Sequence, residues 1–205
     1  MFMGAYRFLL LTCRPFYLLF RPAKVFGLEN LPLHGGFLLC ANHQHWLDPV
    51  HICAHVPQRK YRFLAKAEAF RGRFPKWFLS TGVGCIPIHR GATDLSAVRT
   101  VISALSEGNA IGIFPQGTRS RDNTPTPMQN GVSLIAVRSG APIVPVYIEG
   151  PYRLFRRNNI HIGAPVDISD VGRRCDSDTL QDITHRIEQA IWSMGGVRIP
   201  RPEKS

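Results

Sequence analysis

The sequence predicts an α/β protein with a mixed, largely parallel central sheet flanked by helices. Three observations lead there. Short β-type apolar runs alternate with helix-patterned segments along most of the chain. A length of 205 residues suits one domain with a sizeable core. Two polar turns, one bearing histidines and one bearing glycine, follow buried strands, where open α/β sheets gather their sites. No repeat and no low-complexity linker divides the chain.

The first segment, MFMGAYRFLLLTCRPFYLLFRPAKV, is the most apolar and aromatic. Arg7, Arg14 and Arg21 interrupt it, no cleavage pattern follows, and its uncharged stretch Phe8 to Cys13 is far shorter than the roughly 20 residues that span a bilayer. Arginines recurring every seven residues share one side of a helix, leaving Phe2, Leu9, Phe16 and Phe20 for other sides. Pro15 is expected to split the segment into two short helices. Rings among acyl chains and arginines at headgroup phosphates suit a lipid interface; a helix docked on the core is the alternative. Residues 1–23 are thus set apart as a membrane-interface helical segment from a domain over 24–205.

Strands are expected at 24–28 and 36–42. Asp48 as N-cap and Pro49 at the first helical position open a helix at DPVHICAHV. Strands follow at 61–66 and 84–90, with a helical, proline-interrupted stretch between them. From Asp94, Leu95, Val98, Ile102 and Leu105 recur at helical spacing before Gly108. A buried strand at 110–114, a short helix over 131–140 stopped by Gly140, and a strand at 142–148 come next. Leu180, Ile183, Ile187 and Ile191 mark a last helix from Ser177, closed by Gly195 and Gly196.

With 25 Lys and Arg against 14 Asp and Glu, the net charge is +11. That balance favours an anionic partner: nucleic acid, a membrane surface or a phosphorylated substrate. No helix-turn-helix, finger or RRM signature is found, so the reading carries no nucleic-acid partner. The five cysteines are odd in number, widely spaced and lack C-x-x-C, against a disulfide framework or structural zinc; a reducing cytoplasm is the simplest compartment.

Chemistry concentrates in CANHQHWLDPVH, residues 40–51. As metal ligands, His43, His45, Asp48 and His51 fit poorly, because the aspartate comes three residues after the second histidine and no histidine follows it directly. As an acid–base pair, His43 and Asp48 need only meet: the carboxylate fixes the tautomer and the imidazole accepts a proton from a hydroxyl. On a straight helix, residues five apart point about 140° from each other, so the chain must bend between them, as a strand-to-helix turn does. The plain alternative makes Asp48 a cap and the histidines surface residues. FPQGTRS, residues 114–120, supplies Gly117 for close backbone approach, hydroxyls from Thr118 and Ser120, and the planar fork of Arg119 for phosphate. Arg90 in HRG follows another strand and is placed to reach the same anion.

Together these residues resemble the glycerolipid acyltransferase family, in four blocks in order over roughly residues 40–150. N-H-x-x-x-x-D stands here as Asn42, His43 and Asp48; GCIPIHR ends in Arg90; FPQGTRS matches F-P-E-G-T-R-S; and APIVPV matches an apolar strand with prolines. FLAKAEAF, residues 63–70, also looks like the family segment between the first two blocks. The resemblance implies a glycerol-3-phosphate acyltransferase-like fold, with 24–205 as the acyltransferase domain. His43 is implied as general base and Asp48 as its orienting partner, with His45 and His51 as bystanders. Arg90, Gln116, Gly117, Thr118 and Arg119 are implied to bind substrate. It implies acyl transfer from acyl-CoA or acyl-carrier protein to a lysophospholipid, most directly 1-acylglycerol-3-phosphate giving phosphatidic acid, without metal or other cofactor. The enzyme would sit on the cytoplasmic face of the membrane as a peripheral, monotopic protein. Two departures stand out. The family usually carries glutamate where this chain has Gln116, and relatives often carry lysine near Gln129 and Asn130. The acceptor therefore stays open to another lysolipid, and the protein to a lipid-binding role without activity. PYRLFRRNN, residues 151–159, adds Arg153, Arg156 and Arg157 for headgroups, CoA phosphates or an acidic carrier, or is a solvated basic loop.

Overall fold

A computed structural model describes residues 2–77, 79–80, 84–88, 94–120, 122–172 and 176–200. Its helices are α1 (Phe2–Phe20), α2 (Asp48–His55), α3 (Arg73–Trp77), α4 (Leu95–Ser106), α5 (Gly131–Ser139) and α6 (Ser177–Met194). Its strands are β1 (Val25–Phe26), β2 (Phe37–Ala41), β3 (Tyr61–Lys66), β4 (Ile86–Ile88), β5 (Ala110–Ile113), β6 (Ile143–Ile148) and β7 (Ile160–Ile162). They form one seven-stranded sheet in the order β1-β7-β6-β2-β5-β3-β4. Every pairing is parallel except β6 with β7, so the sheet is mixed and largely parallel, as the alternating pattern predicts.

Strand β2 lies in the middle and is buried along its whole length. Its side chains alternate between two cores, as the period of two requires. Leu38 and Cys40 join Ile111, Ile143 and the inner faces of α4, α5 and α6. Phe37, Leu39 and Ala41 join Ile52, Val144, Val146 and Ile148 on the α2 side. A parallel strand covered on both faces places its carboxyl end, residues 41–43, at the rim of the sheet, where the chain must turn.

Four local expectations change. Pro15 does not split the N-terminal segment: α1 runs unbroken through it. The proline forfeits one backbone bond, and the helix is held by docking. Arg14 Nε donates to the Ala54 carbonyl at 2.7 Å, and Tyr17 reaches His51 on α2. Strand β1 ends after two residues because Gly27 takes a left-handed φ of 73°, and a Cβ there would lie 2.0 Å from the Ile162 carbonyl oxygen. Strand β7 has no counterpart in the sequence reading; three residues are too few for a periodic signal, and it is defined by its pairing with β6 and β1. In α4, capped by Asp94 as expected, the buried face is Ala97, Val101, Ala104 and Leu105, while Leu95 is exposed.

Candidate active site

The site is assembled where β2 runs out. Asn42 continues the β2–β6 ladder through its side chain. Its Oδ1 accepts the Ile148 N–H at 2.7 Å, and its Nδ2 donates to the Ile148 carbonyl at 2.9 Å and to Asn123 Oδ1 at 2.7 Å. That fixes the strand end. The next residue, His43, is gripped on both backbone groups by the 114–120 turn: its N–H donates to Gln116 Oε1 at 2.6 Å, and its carbonyl accepts from the Ser120 N–H at 2.8 Å.

The chain then folds back around a single carboxylate oxygen. Asp48 Oδ2 accepts the N–H of Gln44 at 2.8 Å, the N–H of His45 at 2.9 Å and His43 Nδ1–H at 2.7 Å. This is the bend that brings residues 43 and 48 together. It also corrects the capping assignment. Asp48 is the first residue of α2, and the N-cap, Leu47, makes no side-chain cap. The carboxylate spends its bonds on the preceding turn instead. Asp48 is fully buried, and the Tyr152 hydroxyl lies close to its carboxylate. Burial, first, and the Asp48 charge push that hydroxyl far above the ordinary phenol range.

With Nδ1 donating to a carboxylate, the tautomer leaves Nε2 as the free, proton-accepting nitrogen. The His43 ring is 18% exposed and stacks on Phe114 at 4.2 Å between centroids, and Phe114 stacks in turn on Phe63. The other two histidines of residues 40–51 are engaged elsewhere. His45 Nδ1 accepts the Leu47 N–H at 3.2 Å. His51 is fully buried, its Nε2–H donating to the Asn158 carbonyl at 2.7 Å while Nδ1 accepts from the Tyr17 hydroxyl at 3.1 Å. Burial lowers its pKa to about 4. Among the described residues no group of three or more His, Cys, Asp or Glu comes together as a metal site.

Two cavities open beside His43 and its neighbours. One, of about 620 Å³, is bounded by His43, Phe114 and Gly117 and runs between Leu64, Ile88, Val98, Ile113, Val132 and Ile135. The second, of about 550 Å³, is lined by Gln44, His45, Trp46, Arg119, Pro151 and Tyr152. Gly117 sits at φ 66° with Gln129 against it: a Cβ would lie 2.9 Å from the Gln129 amide nitrogen. Thr118 and Arg119 are exposed. Arg90 lies outside the described residues. Gln116 is buried and its amide is used within the protein, accepting from His43 and donating from Nε2 to Thr126 Oγ1 at 2.6 Å. It builds the site rather than facing it. Phe114 and Tyr152, whose roles depend on contacts between distant segments, carry no local signal in the sequence; Ser120 is singled out there for its hydroxyl, whereas its backbone N–H is what holds His43.

A family model described as Acyltransferase matches residues 22–149. The chain is 30% identical over 173 residues to the 1-acyl-sn-glycerol-3-phosphate acyltransferase of Bacillus subtilis, covering 82% of this chain and 85% of that one. It is 28% identical over 158 residues to the Streptococcus pneumoniae protein of the same name, covering 74% and 58% respectively. Among solved structures, the 1-acyl-sn-glycerophosphate acyltransferase PlsC of Thermotoga maritima superposes with a TM-score of 0.69 at 25% identity, over 97% of this chain and 81% of that one.

Proposed function

This chain belongs to the acyltransferase family, and from that premise we propose that it moves a fatty acyl group from an acyl thioester to the free hydroxyl of a lysophospholipid. The acceptor proposed is 1-acylglycerol-3-phosphate, giving phosphatidic acid, and the donor is acyl-CoA or acyl-carrier protein. One observation carries the reading: a buried carboxylate fixes Nδ1 of His43 and leaves Nε2, without a partner among the described residues, beside a cavity walled in part by apolar side chains.

The steps follow from that geometry. His43 Nε2 takes the proton of the acceptor hydroxyl as the oxygen attacks the thioester carbonyl. Asp48 steadies the imidazolium that forms. The carbon–sulfur bond breaks, and His43 returns the proton to the departing thiolate, so that ester and thiol leave a neutral imidazole behind. The reaction so written uses the acyl donor as co-substrate and no other cofactor. The walls formed by Leu64, Val98, Ile113, Val132 and Ile135 suit the acyl chain. Arg119, which lines the second cavity, is proposed to bind the acceptor phosphate, with Thr118 and Arg90 proposed to assist it.

The same reading places the enzyme at a membrane, as a monotopic protein on the cytoplasmic face, with residues 1–23 as its interfacial segment. No helix among the described residues is long and apolar enough to cross a bilayer. On α1, Phe8, Leu11, Phe16 and Leu19 are exposed, whereas Arg14 and Tyr17 on the other side bind α2. Its apolar face points outward, as an interfacial helix requires.

The test is an acyl-transfer assay with purified protein. It pairs a panel of lysolipids with acyl-CoA and acyl-carrier protein and identifies products by mass. Phosphatidic acid from 1-acylglycerol-3-phosphate is the expected product. A preference for another lysolipid changes the acceptor, and absence of any acylated product with every pair overturns the reading.

A further inference from the structure

We propose that residues 153–157, in the loop between β6 and β7, make a second bilayer contact, with Leu154 and Phe155 entering the acyl region of an anionic membrane and Arg153, Arg156 and Arg157 binding lipid phosphates. The occupant is taken from the membrane-surface reading above; the loop's shape and charge are independent of it.

All five side chains are exposed, Leu154 at 56% and Phe155 at 62%, between the half-buried Tyr152 and the buried Asn158. The loop is nevertheless fastened at both ends. Asn158 Nδ2 donates to the carbonyls of Glu149 and Pro151, its carbonyl accepts from His51, and its N–H donates to the Pro22 carbonyl. Tyr152 packs against His45 and His51, with Arg21 over its ring. At the tip the Phe155 N–H donates to the Phe20 carbonyl at 2.9 Å, with Phe155 at φ 58°. That left-handed conformation is costly for a bulky residue, and here it belongs to a phenylalanine left facing solvent.

Two features select a bilayer over other partners. The first is charge. No acidic residue occurs from 150 to 166 or from 1 to 28. Lys24, Arg153, Arg156 and Arg157 make no ion pair among the described residues. An apolar tip collared by unpaired cations complements an anionic lipid surface. The second is continuity. The Phe155 ring lies 5.4 Å from that of Phe20, on the end of α1 whose outward face carries Phe16 and Leu19. A broad surface engages helix and loop together. Because Pro151 and Tyr152 line the cavity that holds Arg119, this contact sets the mouth of that cavity at the membrane.

The experiment is flotation of the full chain with vesicles of phosphatidylcholine, alone or with added phosphatidylglycerol. In one variant Leu154→Ser is combined with Phe155→Gly, glycine being suited to the left-handed backbone; in another, Arg153, Arg156 and Arg157 are all changed to Gln. The apolar variant is expected to bind both vesicles at least about tenfold more weakly, with its thermal midpoint kept and its acyl transfer to detergent-dispersed acceptor unchanged. The arginine variant is expected to lose about hundredfold on the anionic vesicles alone, at about fivefold per arginine. Parental vesicle binding by both variants overturns the proposal. So does an arginine variant that loses affinity for acyl-carrier protein while keeping its vesicle binding. Parental protein that binds vesicles through this loop but transfers no acyl group would end the enzymatic reading and leave this one standing.

Discussion

At the scale of single residues, the site depends on which atoms accept. One oxygen of Asp48 gathers three N–H groups, two from backbone and one from His43. The carboxylate therefore does two things: it holds the bend and it sets the tautomer. Asp48→Asn can keep a carbonyl oxygen on all three N–H groups but loses the negative charge that steadies the imidazolium. Its turnover is expected to fall on the order of 10³- to 10⁴-fold by analogy with triads that lose their aspartate, with the circular dichroism spectrum kept. A variant with parental turnover would remove Asp48 from the mechanism. Gln116 invites the opposite expectation. Its Oε1 takes the His43 N–H and its Nε2 faces the Thr126 hydroxyl. A glutamate there would accept from both, the hydroxyl turning to donate. Gln116→Glu should accordingly keep turnover within about threefold, whereas Gln116→Leu strips a buried partner from the His43 backbone, costs about 1–3 kcal/mol of stability, and lowers turnover; kinetics and thermal denaturation of the two variants decide it.

At the scale of elements, α1, α2 and the loop before β7 meet at His51. Its two nitrogens are committed to Tyr17 and to the Asn158 carbonyl, and burial, the largest cause, lowers its pKa from 6.5 to about 4. The unfolded chain takes up a proton near pH 6.5 that the folded chain refuses until about pH 4, so folding stability falls as the pH drops through that window. The contribution is on the order of 3 kcal/mol. His55, lowered in the same direction by burial, adds to it. Urea midpoints of the parent should decline from pH 7 to pH 4.5, and the profile should flatten in His51→Gln; an identical profile in that variant refutes the assignment. This junction also shows what the sequence could and could not disclose. Long periodic segments such as Ile183, Ile187 and Ile191 announced α6, and the Asp94 cap announced α4, because local spacing carries that information. His43 with Asp48 was legible for the same reason, being five residues apart with a turn between them. Contacts over long separations were not. Asn42 with Ile148, Ser120 with His43, and Tyr17 with His51 have no local signature. Strand β7 likewise exists only through its neighbours.

At the scale of the whole molecule, a net charge of +11 and an outward apolar helix face act together. Removing part of that face with Phe16→Ser and Leu19→Ser, both exposed and so cheap for folding, should weaken vesicle binding about tenfold or more. Flotation measures it, and parental binding would argue that α1 serves only as packing. The sheet, meanwhile, brings residues near 43, 117 and 150 to one rim, so that the His43 imidazole, a slot with apolar walls and a pocket bearing Arg119 are neighbours. The claim on which the account turns is that Nε2 of His43 moves the proton during acyl transfer. Its most direct measurement is single-turnover acyl transfer by the His43→Ala variant beside the parent and His45→Ala, with folding of all three checked by thermal denaturation. The account predicts loss of at least about 10³-fold for His43→Ala and activity close to parental for His45→Ala; equal rates for His43→Ala and the parent would contradict it.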